Sequence, residues 1–387
     1  MLDFFDLSIF SSFIGVSIIN IFTKLIEKGI AAKLEDSTKL TTDYSKLIKS
    51  YDIAQVTRDD MRESSAKGEI NKLITLDCLN PKQPHIVFPA IYVCSLYHRS
   101  IKIHDSQNKY QLPEEIKGHF DEIMEAYKAS VVYNQLNVRV DRWYLDKTNQ
   151  NFVIDTSRTE YFHSLVTNRA IDYKWKNGLT VRSVLDFGPF MRSLEESRLS
   201  NHLGFNGFIE FSDGMIMFVK RGAHLSIGKS IYGSSVAASL KSKYGLSDGV
   251  FTVEGLKKAI CLEIRDECKI ELPAAKFSLE NHLIAAYRDL AEGGKPQLLL
   301  FIHLDNMTKE EITDNFIRKT KNIKNKKFAT NEDGFRFMWI KRDELRKATF
   351  GIDYMIHDGK KYSTTPGTVA SIVLLLNHFN ELERKRS

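Results

Sequence analysis

The stretch "GLKKAICLEIRDECKIEL", residues 255–272, decides how the rest of the chain is read. Its apolar residues recur at helical spacing, and three carboxylates, Glu263, Asp266 and Glu267, fall within five residues. On a helix these stand at i, i+3 and i+4 and share one side. Three anions so close repel one another unless a cation lies among them, and hard divalent ions such as Mg²⁺ prefer oxygen ligands. The plainer alternative is a solvated acidic face balanced by Lys257, Lys258, Arg265 and Lys269.

The flanking sequence reads as a mixed α/β domain. Upstream, "FNGFIEFSDGMIMFVKRG" (205–222) is two alternating runs about Ser212-Asp213-Gly214, a hairpin signal. A loop rich in Gly and Ser follows. Downstream, "KPQLLLFIHL" (295–304) is a continuous apolar run of strand length, and "GFRFMWI" (334–340) reads as another strand. "GTVASIVLLLN" (367–377) follows Pro366, a favoured first-turn residue, and reads as a buried helix. A mixed sheet between helices is the expected architecture of residues 196–387.

The chain has 387 residues, which suggests more than one domain. Its 43% hydrophobic and 11% aromatic content supports a packed core. A net charge of +6 suits an anionic ligand or a membrane surface but is too weak to argue for a DNA groove. Cys78, Cys94, Cys261 and Cys268 form no CxxC pair and read as reduced thiols.

From Leu7 to Thr23 the chain carries no charge and is rich in Ile and Phe. With its apolar neighbours this run reaches the length of about 20 residues that a spanning helix needs. Asp3 and Asp6 precede it; Lys24, Lys28 and Lys33 follow. That order predicts a single-pass inner-membrane segment over 1–29 with the remainder cytoplasmic. Ser8, Ser11, Ser12, Ser17 and Asn20 would suit contacts between such helices in a homo-oligomer. Residues 30–195 read as a mainly helical connector with strand-like pieces such as "VRVDRWYL" (138–145) and a helix near 113–134.

The order hairpin, glycine-rich loop, acidic helix, strand resembles the Nudix family, whose box runs G-x5-E-x7-R-E-U-x-E-E-x-G-U. Glu254 falls on the first glutamate, and Glu263 and Ile264 match the E-U step. Asp266 and Glu267 take the E-E pair, and Ile270 the last aliphatic. Leu262 stands at the arginine, and Asp248 and Lys269 at the two glycines, which puts turnover in doubt. The resemblance implies a metal set of Glu263, Asp266 and Glu267 with Mg²⁺. It also implies that Glu254, Glu263 and Glu267 would be catalytic in an active member.

With the membrane segment, the arrangement is similar to the membrane-anchored Nudix effectors of bacterial cyclic-oligonucleotide antiphage systems, the CD-NTase-associated (CBASS) proteins. That resemblance implies a sensor of a cyclic nucleotide whose membrane segments breach the inner membrane and abort infection. Lys220, Arg221, Lys229 and Tyr232 are the candidate nucleotide-binding residues, and Phe205, Phe208 and Tyr244 are candidates for base stacking. A membrane-tethered, Mg²⁺-dependent hydrolase of nucleoside diphosphate derivatives is the alternative, and a non-enzymatic membrane scaffold a third.

Overall fold

A computed structural model describes residues 43–51, 72–76, 85–127, 133–148, 150–189, 191–221, 231–273, 275, 277–321 and 337–385. The expected membrane segment from Leu7 to Thr23 lies outside these residues, as do Lys229 and Cys78. Among the described residues no helix is long and apolar enough to cross a membrane.

Strands β1 (Lys72–Leu76) and β2 (Ile86–Ser95) come first. Strands β3 (Ser100–Lys109), β4 (Leu136–Leu145) and β5 (Asn151–Glu160) form a separate sheet in the order β3-β5-β4. The expected hairpin is β6 (Gly204–Phe211) and β7 (Met215–Lys220), turning at Gly214 with φ 75°. Short strands β8 (Tyr232–Gly233), β9 (Val236–Ser239), β10 (Leu246–Ser247) and β11 (Val250–Phe251) lead into a 16-residue helix, Val253–Cys268. This is the acidic helix. Next come β12 (Leu283–Asp289), β13 (Lys295–Leu304) and β14 (Phe337–Lys341). Strands β15 (Thr349–Phe350), β16 (Tyr354–His357) and β17 (Lys360–Ser363) make a small sheet before the closing helix, Pro366–Arg384.

The large sheet runs β1-β2-β12-β13-β6-β7-β14, with β8 added to β7 and β9 to β6. It is mixed: β13 lies parallel to β6, and the other described pairs are antiparallel. Alternation along the strands makes two cores. Phe205, Ile209, Leu298 and Leu300 join Leu256, Ala259, Ile260 and Ile264 of the acidic helix. Phe208 and Leu299 join Val369, Ile372, Val373 and Leu376 of the closing helix. Each such leucine or isoleucine taken from water contributes about 1.5–3 kcal/mol before entropy is set against it. Trp143, Phe152 and Ile154 of the small β4/β5 layer share the first core, so the acidic helix is covered on its far side too.

Two expectations are corrected. Residues 30–195 are not mainly helical where described: β1–β5 dominate, and the helix expected near 113–134 is two short pieces, Glu114–Lys117 and Phe120–Glu125, parted at Gly118 and His119. Strand β2 contains a proline. Its Pro89 falls where the β1–β2 register shifts, between the partners of Leu73 and Thr75, and beyond the last β12 pair at Ala90. A proline is tolerated there because no ladder hydrogen bond is lost. The large sheet also crosses the boundary expected at 195/196, because β2 pairs with β12.

Candidate functional site

The acidic helix starts where Thr252 Oγ1 accepts the Gly255 amide at 3.1 Å, a side-chain cap. Gly255 is required by a close crossing: a Cβ there would lie 2.0 Å from the Gly245 carbonyl oxygen. The helix ends at Cys268, and Lys269 adopts the left-handed conformation with φ 59°. Asp248 and Gly249, in the turn before the helix, have φ 51° and 79°. Glycine is the residue that reaches such angles without strain.

Glu263 is fully buried, and Lys241 Nζ donates to its Oε2 at 2.7 Å. Its Oε1 has no hydrogen-bond partner among the described residues. Burial pushes this carboxyl up to about 7, with Lys241 opposing and Glu267 and Asp266 adding to the rise. Glu267 is half-buried and also shifted upward by desolvation, with Lys241 and Arg221 opposing.

Both glutamates line a cavity of about 260 Å³ at the end of the sheet where β6 and β13 begin. Lys241 and Arg221 stand beside them. Opposite, on the closing-helix face, β12 and β13 set Tyr287 across from Gln297 and Asp289 across from Lys295. Asn206 of β6 donates to Tyr287 Oη at 2.5 Å, and that hydroxyl also meets Ser371 Oγ at 3.1 Å, tying the floor to the closing helix. Glu292 bridges Arg169 at 3.3 Å and Lys295 at 3.2 Å. Burial would raise Glu292, but those two cations prevail and hold it low. Burial and the nearby Glu292 hold Asp289 high. Burial lowers Lys295 to about 8. Four cationic side chains, Lys241, Arg221, Arg169 and Lys295, thus stand on the cavity wall beside carboxyl groups that burial shifts toward the neutral form at Glu263, Glu267 and Asp289.

Of the residues singled out from sequence, Glu263, Glu267, Arg221 and Phe205 line this cavity. The rest do not. Asp266 turns away: Tyr244 Oη donates to one carboxylate oxygen, and Arg265 holds the other at 3.0 Å. Burial would raise Asp266, yet these hydrogen bonds keep it below the usual carboxylate range. Glu254 is 81% exposed on the first turn, 4.0 Å from Lys257, and cannot assist chemistry in the cavity. Lys220, though partly buried, is not part of the cavity wall. Tyr232 packs edge-on against Tyr362, ring centroids 5.4 Å apart. Phe208 is core, 5.5 Å from Phe218. Tyr244 is engaged by Asp266 and by the Lys241 and Lys243 ammonium groups near its ring.

The residues do not fit the metal set that the resemblance implies. No group of three or more metal-ligating side chains converges among the described residues, and a lysine ammonium already meets Glu263.

Sequence reasoning missed Lys241, Arg169, Asp289, Glu292, Lys295 and Gln297. A signal was present for the last four: "DLAEGGKPQ" (289–297) places three charges at the junction of two strands that are otherwise mostly apolar. Arg169 and Lys241 lie in unremarkable polar surroundings and left none. The chain matches no protein-family model, and no curated protein matches it.

Proposed function

We propose that the C-terminal half is a Nudix-like domain that binds a cyclic nucleotide without hydrolysing it. On this reading the chain is an effector of antiphage defence, and its N-terminal apolar segment disrupts the inner membrane once ligand is bound. The Nudix-like part is supported by the order of elements about the acidic helix. It is also supported by the left-handed angles at Asp248 and Lys269, the two positions where the box has glycine. The membrane part rests on the sequence from Leu7 to Thr23 and the charge order about it.

The observation that carries binding without turnover is the Lys241–Glu263 ion pair. A hydrolase of this class would use a divalent ion to draw charge from the scissile phosphate. Here the ammonium stands at one buried carboxylate, Asp266 faces away, and Glu254 is in solvent. What remains is a cavity with cations for phosphate and amides and hydroxyls for the rest of a nucleotide. The test is to incubate the purified full chain with Mg²⁺ and a panel of linear and cyclic nucleotides. Binding of a cyclic member without product is expected. Turnover of a nucleoside diphosphate derivative would establish the tethered hydrolase instead, and neither binding nor turnover would leave the scaffold reading.

A further inference from the structure

Several charged groups of the cavity are engaged with one another: Lys241 with Glu263, and Arg169 and Lys295 with Glu292. Asn206 donates to Tyr287, and Ser239 meets His202 at 2.8 Å. Gln297 differs. It is only 6% exposed, it lines the cavity, and its carboxamide makes no hydrogen bond among the described residues. The amide atoms open onto the cavity rather than being sealed from it, so a ligand lying there can meet both its donor and its acceptor. Gln297 is also given its place by its neighbour. A Cβ on Gly204, the residue beside it on β6, would stand 2.3 Å from Gln297 Oε1. The missing side chain at 204 is what lets the amide lie across the floor. Glu263 Oε1, in the same cavity, also has no hydrogen-bond partner among the described residues.

A carboxamide presents one acceptor and a donor side by side. The matching partner is a planar edge that also carries a donor next to an acceptor, which is how nucleobases are read by glutamine and asparagine. Phosphate has no such edge, and a ribose hydroxyl uses one half of the amide at a time.

We infer that Gln297 is the specificity-determining residue of the cavity, forming a paired donor–acceptor contact with the edge of one base of the ligand. This rests on the nucleotide-binding reading above. Glu263 Oε1 offers a second contact to the same ligand from the acidic-helix side, while the cations take the phosphates.

The experiment measures equilibrium binding of 3′,3′-linked cyclic dinucleotides carrying adenine, guanine or uracil to the purified full chain, with thermal melting as the check on folding. The wild type is expected to prefer one base by about 10- to 100-fold, the size of one bidentate pair. Gln297→Leu should erase most of that preference while the disfavoured ligands change by less than about 3-fold. Gly204→Ala, which pushes the amide aside without altering it, should do the same. If Gln297→Leu does not fold, Gln297→Asn decides, because it keeps the chemistry and withdraws the amide by one methylene. Retention of the base preference in a folded Gln297 variant overturns the inference and leaves the sensor reading standing, as does equal binding of all three ligands by the wild type. Failure of every cyclic and linear nucleotide to bind the folded wild type overturns both.

Discussion

Lys241 Nζ stands 2.7 Å from Glu263 Oε2, and the carboxylate it holds is fully buried. The two belong to different elements, Lys241 to the turn after β9 and Glu263 to the third turn of the acidic helix, so the pair fixes the helix against the sheet edge. Replacing Lys241 by Met should destabilise the fold by about 2–4 kcal/mol at pH 8, because it leaves a buried charge without its partner. The loss should shrink at pH 5, where the carboxyl takes a proton. Denaturant titrations of Lys241→Met, Glu263→Gln and the double variant at both pH values measure this. A double variant whose change in stability equals the sum of the two single changes at both pH values would show that the two groups are not coupled.

Glu263 also makes stability depend on pH. Its folded value of about 7 lies above the usual 4.5, so between those values the folded state holds more protons than the unfolded one. Its contribution is therefore complete below about pH 4.5 and is lost as pH rises through 7. Glu263→Gln should be increasingly favoured over wild type as pH rises, by up to about 3 kcal/mol at pH 8. A wild-type minus variant difference that is flat from pH 5 to 8 would contradict this.

Divalent metal should matter little. A site occupied at a hundred times its Kd would add about 2.7 kcal/mol and raise the melting temperature by several degrees. Neither 10 mM Mg²⁺ nor a chelator is expected to shift melting or cyclic-nucleotide binding, where about 10 mM is an excess over ordinary Mg²⁺ affinities. A chelator-sensitive shift that disappears in Glu263→Gln/Glu267→Gln would restore the metal-binding reading of the acidic helix.

The helix boundaries give opposite expectations for two glycine exchanges. Lys269→Gly relieves a left-handed residue and should stabilise by up to about 1 kcal/mol. Gly255→Ala drives a methyl group into the Gly245 backbone and should cost about 1–3 kcal/mol while weakening ligand binding, since the helix that carries Glu263 must move. Melting of both variants, with isothermal titration of the second, checks the pair.

The membrane arm has its own test. Dye influx should follow addition of the cognate cyclic nucleotide to cells or liposomes holding the full chain. On the sensor reading, replacing Ser11, Ser12 and Asn20 together by Leu should keep insertion and ligand binding but blunt the influx, because polar side chains in lipid are satisfied across contacts between helices. Leakage of equal size without ligand would refute the coupling.

The elements about the cavity were legible where one period dominates. "KPQLLLFIHL" is β13 from end to end, and Pro366 does open the closing helix at its first turn. The middle of the chain was not, because β2 and β3 owe their strand character to partners far away in sequence, β12 and β5. The acidic triplet shows the limit of spacing arguments. At about 100° per residue, Asp266 and Glu267 flank Glu263 on opposite sides. The cavity takes Glu263 and Glu267 from that arc, and Tyr244 takes Asp266. Spacing puts three carboxylates near one another; only the neighbouring elements settle which of them meet.

The parallel pairing of β13 with β6 bears on the order of events during synthesis. A growing chain cannot close the large sheet when β6 emerges, because β12 and β13 are still to be made, and β2 must wait for β12 as well. The floor of the cavity, from Tyr287 to Gln297, is among the later parts to leave the ribosome. The segment from Leu7 to Thr23 precedes it by more than half of the 387 residues. On the sensor reading, that segment therefore meets the membrane before there is a pocket to report on anything, and whatever keeps a newborn copy harmless must act without help from the folded cavity.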